Sequence, residues 1–238
     1  MQSSKLNKKN LNFNERKPSS NSTRILQDSY SRCYFMAIFK FIWHKTFGVE
    51  HSLKLTDAIK LSHELLDMDY GHLDKHFENF RVCGSIRRNK EEVNDIDIVA
   101  IQKENYSFGE ETLDQTIQRL DPSGLAEAKQ LGRHGIARYA LGDKLKRFKY
   151  KDIRVEIYLA KNETFETLVL IKTGSEEHNK QLVTLARGKG LKLFADGTGL
   201  CKIHYEKGKE VIDKIVANTE DSILEFLLNR IPKPEERY

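Results

Sequence analysis

The sequence has few cysteines and no long apolar run, and these two absences exclude several classes of protein. Its three cysteines are an odd number without metal-ligand spacing, which argues against a disulfide scaffold or a zinc finger. No stretch approaches the roughly 20 apolar residues of a membrane span, and the first residues lack the apolar core of a secretory signal. We therefore expect an intracellular protein of the cytoplasm or nucleus that does not bind membranes. Mitochondrial import is a less favoured alternative.

An excess of positive charge is also missing from most of the chain. The 238 residues carry a net charge of +5. Residues 1–30 hold six basic side chains against two acidic ones, which leaves 34 basic and 33 acidic side chains in the remainder. Any binding of nucleic acid by this larger part must therefore come from local basic patches.

Composition and apolar spacing divide the chain into four parts. Residues 1–29 are rich in Ser, Asn and Lys and are expected to form a disordered basic tail, and residues 30–52 to form an aromatic-rich helical extension. Residues 53–165 and 166–238 interleave strands with helices. This predicts an α+β fold, in which a mixed sheet with flanking helices is followed by a small α+β subdomain.

Apolar spacing also predicts the individual elements. Helices are expected at 55–66, 109–120, 176–187, 208–217 and 220–229. Strands are expected at 80–83, 95–101, 136–141 and 153–159, with short strands within 191–204. Residues 165–171 have strand or mixed character.

Two carboxylates stand two residues apart in the segment Asp95-Ile96-Asp97-Ile98. In a strand, residues two apart point to the same face, so Asp95 and Asp97 project together while the isoleucines enter the core. Close carboxylates repel each other unless a partner neutralises them, and a divalent cation is the usual partner.

A third carboxylate lies on the amphipathic strand 153–159. Val155, Ile157 and Leu159 share one face of that strand, and Arg154, Glu156 and Tyr158 share the other. If this strand lies beside the strand of Asp95 and Asp97, Glu156 completes a three-carboxylate cluster. Such a cluster can hold two magnesium ions for in-line phosphoryl transfer.

A glycine-serine turn precedes the carboxylate strand. Gly84-Ser85 follows a predicted strand and opens a helical turn that carries Arg87 and Arg88. Free backbone N–H groups at such a turn suit a phosphate, and Arg88 adds positive charge.

These residues, in this order, resemble the nucleotidyltransferase superfamily and specifically the family X DNA polymerases of the polymerase beta type. The segment Thr173–Lys180 is similar to that family's Thr-Gly-Ser turn with its following Asn-Lys. Lys189-Gly190 resembles the Lys-Gly step after the next helix, and residues 220–237 resemble the closing helix and its proline-containing tail. The similarity covers the chain from about residue 60 to its end.

The resemblance implies a role for each site residue. Residues 53–165 would be the nucleotidyltransferase palm, and residues 166–238 the nucleotide-selection subdomain, in the place of thumb or fingers. Asp95, Asp97 and Glu156 would be the catalytic metal ligands for two Mg²⁺ ions, with Mn²⁺ as a possible substitute. Contacts to the nucleotide are expected from Gly84, Ser85, Arg88, Gly174, Ser175, Glu176, Asn179 and Lys180.

DNA is the expected partner of the basic patches once the resemblance is taken into account. One patch interleaves basic and aromatic residues between 144 and 154, and the other lies within 178–192. Contacts to DNA are expected from Lys144, Lys146, Arg147, Lys149, Lys151, Arg154, Arg187 and Lys189.

The sequence departs from the family at three positions near the proposed site. Glu156 stands where the family has Asp, Ile171-Lys172 where polymerase beta has an aromatic pair, and Val183 where it has an arginine.

The expected function is template-directed addition of deoxynucleotides to a primer 3′ hydroxyl in short DNA gaps, by a monomer. The alternatives are a template-independent or ribonucleotide-tolerant terminal transferase and an inactive DNA-end-binding protein.

Overall fold

The structure, a computed structural model, describes residues 52–66, 72–104, 109–124 and 140–238. The basic tail, the aromatic-rich extension up to residue 51 and most of the predicted strand 136–141 lie outside the described residues. Within the described ranges the fold is α+β, as the sequence predicts. No helix in these ranges has the length and apolar character needed to cross a bilayer.

The first part of the fold is built around a five-stranded sheet. Its elements are β1 (Leu53–Lys54), α1 (Leu55–Leu66), β2 (Phe77–Val82), α2 (Gly84–Arg87), β3 (Glu92–Val93), β4 (Asp95–Gln102), α3 (Leu113–Leu120), β5 (Ala140–Leu141), β6 (Leu145–Tyr150) and β7 (Ile153–Ala160). The strand order is β2-β4-β7-β6-β5, and β1 pairs separately with β3. The pair β4–β7 is parallel, and the other pairs of the sheet are antiparallel.

The central strand β4 is buried on both faces, which explains its apolar sequence. Ile96 and Ile98 face a core shared with α1 and α3. On the other face, Val99 and Ile101 pack against the next helix of the chain, α4 (Phe165–Thr173). Asp95 and Asp97 have the parity of Val99 and Ile101, so the carboxylates project on the α4 side of the sheet.

The hairpin β6–β7 fixes the register around Glu156. Its two-residue turn is Lys151-Asp152, with φ values of 49° and 66°, and Tyr150 pairs with Ile153. Two positive φ values are the signature of the type I′ turn, whose twist matches that of the strands. Counting back from this turn places Arg147 directly opposite Glu156.

The second part of the fold has its own apolar core. It contains α4, α5 (Glu176–Gly188), β8 (Lys192–Phe194), β9 (Gly199–Glu206), β10 (Lys209–Ala217) and α6 (Glu220–Leu228). The three strands form an antiparallel sheet in the order β10-β9-β8. Buried residues of α4, α5, α6 and the sheet form this core, among them Leu170, Leu182 and Ile223.

Two predicted elements are wrong in this second part. Residues 165–173 form helix α4 rather than a strand or mixed segment, because the helix packs against the first sheet on one side and the second core on another. It is therefore apolar around much of its circumference and shows little helical period. Residues 209–217 form strand β10 rather than a helix. Register shifts between Ile212 and Lys214 and between Ile215 and Ala217 interrupt the two-residue alternation that would have identified the strand.

Candidate active site

The parallel pairing of β4 with β7 brings the three predicted carboxylates to one region. Asp97 lies opposite Glu156, and Asp95 lies opposite Arg154. Both aspartates are partly exposed, whereas Glu156 is buried at 8% exposure. The strand of Glu156 thus lies beside the aspartate strand, which is the condition that the sequence left open.

Protein donors engage both carboxylate oxygens of Glu156. Arg147 Nε donates to Oε1 at 2.8 Å, and the Tyr158 hydroxyl donates to Oε2. Arg154 Nε also lies 3.5 Å from Oε1. Burial by itself raises the pKa of Glu156, but the charge of Arg147, the Tyr158 hydrogen bond and the charge of Arg154 outweigh it and leave the pKa below 4.5. Glu156 is therefore ionised at neutral pH.

Arg154 joins two of the carboxylates. Its Nη2 donates to Asp95 Oδ2 at 2.5 Å while its Nε faces Glu156. Asp97 lies against Gly84 instead, so closely that a Cβ on Gly84 would overlap the Asp97 carboxylate. Among the described residues, no group of three or more His, Cys, Asp or Glu side chains is arranged to hold a metal ion. In this arrangement Arg147 and Arg154 balance the negative charge of Glu156 and Asp95.

The glycine-serine turn forms a short helix beside the aspartates. Gly84 has φ +60° and begins α2, and the backbone N–H of Cys83 donates to the Asp97 carbonyl at 2.8 Å. Positive φ and the close approach of Asp97 both favour glycine at position 84. Ser85, the second residue of α2, is partly exposed.

Two arginines of this segment reach the Thr173-Gly174-Ser175 turn. Arg87 Nη1 donates to Thr173 Oγ1 at 2.6 Å, and Arg88 Nη1 donates to the Thr173 carbonyl. The Nε of Arg88 is buried without a hydrogen-bond partner. Burial is the largest influence on Arg88 and lowers its pKa, although Asp97 and Asp95 oppose this. The Gly84-Ser85 turn and the Thr173-Gly174-Ser175 turn, both of which are expected to contact the nucleotide, are therefore held next to each other.

The start of helix α5 carries the remaining predicted nucleotide contacts. Ser175 caps the helix by accepting from the His178 N–H at 3.2 Å. Asn179 Nδ2 donates to the Ile171 carbonyl at 2.8 Å, which leaves its buried Oδ1 without a hydrogen-bond partner. Lys180 and Glu176, one helical turn apart, form an exposed ion pair at 2.8 Å. Gly174 has φ +50° and ends α4.

The predicted DNA-contacting residues differ in their exposure and in their partners. Lys146 is 6% exposed and pairs with Asp114 at 2.7 Å, so it is turned away from solvent. Lys151 pairs with Glu64 at 2.5 Å. Arg147 and Arg154 are engaged with Glu156 and Asp95 as described above. The exposed residues of the predicted set are Lys144, Lys149, Lys151, Arg187 and Lys189.

A buried ion-pair network near the site is absent from the sequence-based prediction. Glu220, at the start of α6, accepts from Arg87 Nη1 and Nη2 at 2.8 and 2.7 Å. It also accepts from Arg237 Nη1 at 2.6 Å. The sequence signal was the adjacent Arg87-Arg88 pair, of which only Arg88 was assigned a role.

Comparisons with known proteins bear on the fold and on its carboxy-terminal part. A family model described as DNA polymerase beta thumb matches residues 168–238. The fold is similar to that of polymerase beta from Leishmania infantum, solved as a ternary P/T complex, with a TM-score of 0.51 and 20% sequence identity. That similarity covers 80% of this chain and 78% of the Leishmania chain. No curated protein matches the chain.

The class predicted from the sequence is confirmed at the level of fold and thumb subdomain. The α+β fold is similar to that of polymerase beta, and residues 168–238 match the polymerase beta thumb, in agreement with the family X resemblance that the sequence indicates.

Proposed function

We propose that this protein is a DNA-directed DNA polymerase that adds deoxynucleotides to a primer 3′ hydroxyl in short gaps. The observation that carries the proposal is the meeting of two segments more than 80 residues apart in the sequence. Arg87 and Arg88 bond to Thr173, which places the Gly84-Ser85 turn next to the Gly174-Ser175 turn. The paired aspartates stand beside the first of these turns, because Gly84 packs against Asp97.

The aspartates fit a hard divalent cation. Asp95 and Asp97 share one strand face, and carboxylate oxygens are the ligands that Mg²⁺ prefers. They would hold Mg²⁺ or Mn²⁺ together with Glu156, and two such ions would neutralise charge on the reacting phosphate and the primer oxygen.

The chain's own residues would bind and orient the nucleotide. Arg88 presents a buried Nε without a hydrogen-bond partner. Asp97 and Asp95 lie close enough for their charges to act on the pKa of Arg88. This group and the Gly84-Ser85 backbone suit an incoming triphosphate. Asn179 Oδ1, also buried and without a hydrogen-bond partner, can accept from the sugar or base. Glu156 would take the proton of the primer hydroxyl, as the family resemblance implies.

DNA would lie against the exposed basic residues Lys144, Lys149, Arg187 and Lys189. Contacts of this kind go to phosphates, so binding should weaken as salt rises, by about one counterion released per contact. Lys146 is excluded from this surface by its burial and its pair with Asp114.

A ribonucleotide-tolerant or template-independent transferase is the second candidate. The observation that favours it is Lys172, whose Nζ lies 3.6 Å from the centroid of the Tyr158 ring. Ile171 and Lys172 thus supply an aliphatic chain and a cation, where polymerase beta has two aromatic rings, just before the Thr173-Gly174-Ser175 turn. An inactive DNA-end-binding protein is the third candidate, since Glu156 is engaged by protein donors.

Primer extension separates the three candidates. Extension is measured on a one-nucleotide gap and on single-stranded primer, with deoxy- and ribonucleotides, in Mg²⁺ and in Mn²⁺. The proposal expects complementary deoxynucleotide addition at the gap and at least a hundredfold loss in Asp97→Asn, on the order of 3 kcal/mol of transition-state stabilisation. Asp57→Asn, an exposed change on α1, serves as the matched control.

The other outcomes identify the other candidates. Untemplated tailing or equal use of ribonucleotides favours the terminal transferase. DNA binding without any incorporation leaves the end-binding protein and refutes the polymerase proposal.

A further inference from the structure

Glu156 is restrained from three elements of the fold. Arg147 reaches it across the β6–β7 pair, and Tyr158 reaches it from two residues further along β7. The Tyr158 ring is in turn covered by the ammonium group of Lys172 on α4. With Arg154 Nε at 3.5 Å, three side chains direct donors at one carboxylate.

These donors compete with a cation for the same oxygens. A carboxylate that accepts from a guanidinium on one oxygen and from a hydroxyl on the other has one lone pair of each oxygen occupied, and both bonds fix its orientation. The two aspartates have other surroundings. Asp95 accepts from Arg154 at Oδ2, and Asp97 lies against the backbone of Gly84.

The length of the glutamate side chain makes an exchange feasible. Glu156 has one more rotatable bond than an aspartate would have at the same position of β7, and it stands opposite Asp97 in the register. Rotation about its side-chain bonds can move the carboxylate between the Arg147 side and the Asp97 side without displacing the strand.

We propose that Arg147 and Tyr158 are positioning residues that hold Glu156 away from Asp95 and Asp97. The cation centre then begins as a site of two carboxylates, and Glu156 becomes the third ligand only when it exchanges these donors. This inference rests on the proposed function, because it requires a cation at Asp95 and Asp97.

The test is a Mn²⁺ titration of the full chain without DNA or nucleotide, with free Mn²⁺ measured by electron paramagnetic resonance. The Asp97→Asn variant establishes whether the aspartates bind the ion at all, and it is expected to weaken binding at least tenfold. Glu156→Gln in the otherwise unchanged chain is expected to leave the Mn²⁺ affinity within twofold, because Glu156 is not yet a ligand.

Removing the donors that hold Glu156 should allow it to contribute to Mn²⁺ binding. Tyr158→Phe keeps the ring under Lys172 and removes only the hydroxyl, and Arg147→Met keeps an unbranched chain of similar length. Together they are expected to tighten Mn²⁺ binding three- to tenfold, and adding Glu156→Gln is expected to abolish the gain. Lys161→Met, which removes an exposed positive charge just after β7, controls for the general change in charge.

Each outcome decides the inference. A fivefold or greater loss of affinity in Glu156→Gln alone overturns it, since Glu156 would already be a ligand. A gain in the double variant that survives Glu156→Gln, or that Lys161→Met reproduces, also overturns it. If Tyr158→Phe alone, with an unchanged unfolding transition, gives no Glu156-dependent gain, the hydroxyl has no such role. If Asp97→Asn does not weaken Mn²⁺ binding, the aspartates do not bind the ion. That result refutes the cation centre of the proposed function, and the inference falls with it.

Discussion

Replacing Glu220 by glutamine should destabilise the protein because two arginines would lose their shared counter-charge. Glu220 is 5% exposed and Arg237 is 2% exposed, so water cannot substitute for the missing charge. Of the three hydrogen bonds, which now lie between 2.6 and 2.8 Å, a glutamine oxygen in the place of Oε1 can still accept the two from Arg87 Nη1 and Arg237 Nη1. Its amide group, however, would face a guanidinium with donor against donor.

The expected loss is about 3 kcal/mol in the free energy of unfolding. Removing one partner of a buried ion pair costs about 3–5 kcal/mol. We take the lower end because Arg87 keeps its bond to Thr173 and its side chain is 19% exposed. With a denaturant slope of about 2 kcal/mol per molar urea, the unfolding midpoint should fall by about 1.5 M.

Urea unfolding followed by circular dichroism measures this shift. Glu225→Gln on the exposed face of the same helix is the matched control and should change the free energy of unfolding by less than about 0.5 kcal/mol. A Glu220→Gln midpoint within about 0.3 M of the unchanged chain would refute the reasoning.

A pH series provides an independent check on the same group. Burial raises the pKa of Glu220, but its bonds to Arg87 and Arg237 outweigh burial and lower the pKa below 4.5. The stabilisation is therefore complete above pH 4.5 and is lost as pH falls through the folded-state pKa. The difference between the unchanged chain and Glu220→Gln should shrink accordingly below pH 4.5.

Three further changes test other parts of the structure. Gly84→Ala should lower primer extension and cost about 1–3 kcal/mol of stability, because its Cβ would overlap Asp97 at a positive φ. Gly188→Ala, which has open space around it, is the control. Equal effects of the two changes in urea unfolding would contradict the reasoning. Asp152→Gly should raise the free energy of unfolding by about 0.5 kcal/mol, since its φ of 66° favours glycine, and a lower urea midpoint would count against the type I′ turn. His76 is 1% exposed, and burial lowers its pKa to about 4, so stability should fall as pH drops from 7 to 5. His76→Gln should remove up to about 2 kcal/mol of that pH dependence in urea titrations, and an unchanged dependence would exclude His76 as its source.

Sequence patterns predict the elements of this fold best where one face is buried and the other is exposed. Helix α1 shows such a pattern and is found where expected. Strand β7 is also found where expected because its apolar and polar residues alternate in the sequence, although none of its residues is exposed. Helix α4 contacts two cores, so its apolar residues carry little period. Strand β10 has two register shifts and leaves Ile212 and Ile215 exposed, so its spacing imitates a helix.

The sequence nominates residues for the candidate site but does not give their partners. The spacing of Asp95 and Asp97 and the amphipathic strand of Glu156 place each carboxylate on a strand face, whereas the adjacency of the two strands is known only from their pairing in the structure. The Arg147–Glu156 pair depends on the turn at Lys151-Asp152, which contains no glycine and gives a weak hairpin signal. Basic residues near a site can serve as internal counter-ions or as DNA contacts, and only their burial distinguishes these roles.

The parallel pairing of β4 with β7 also has a consequence for the order of folding. The hairpins β6–β7 and β9–β10 join neighbouring segments through two-residue turns and can close quickly. Asp97 and Glu156 meet only after a loop of 59 residues closes, and the Arg87–Glu220 bond spans 133 residues. Contacts of such long range form slowly because their loops are costly to close. During synthesis, the carboxylates can therefore come together only after β7 has left the ribosome, and the buried network only after Arg237 has.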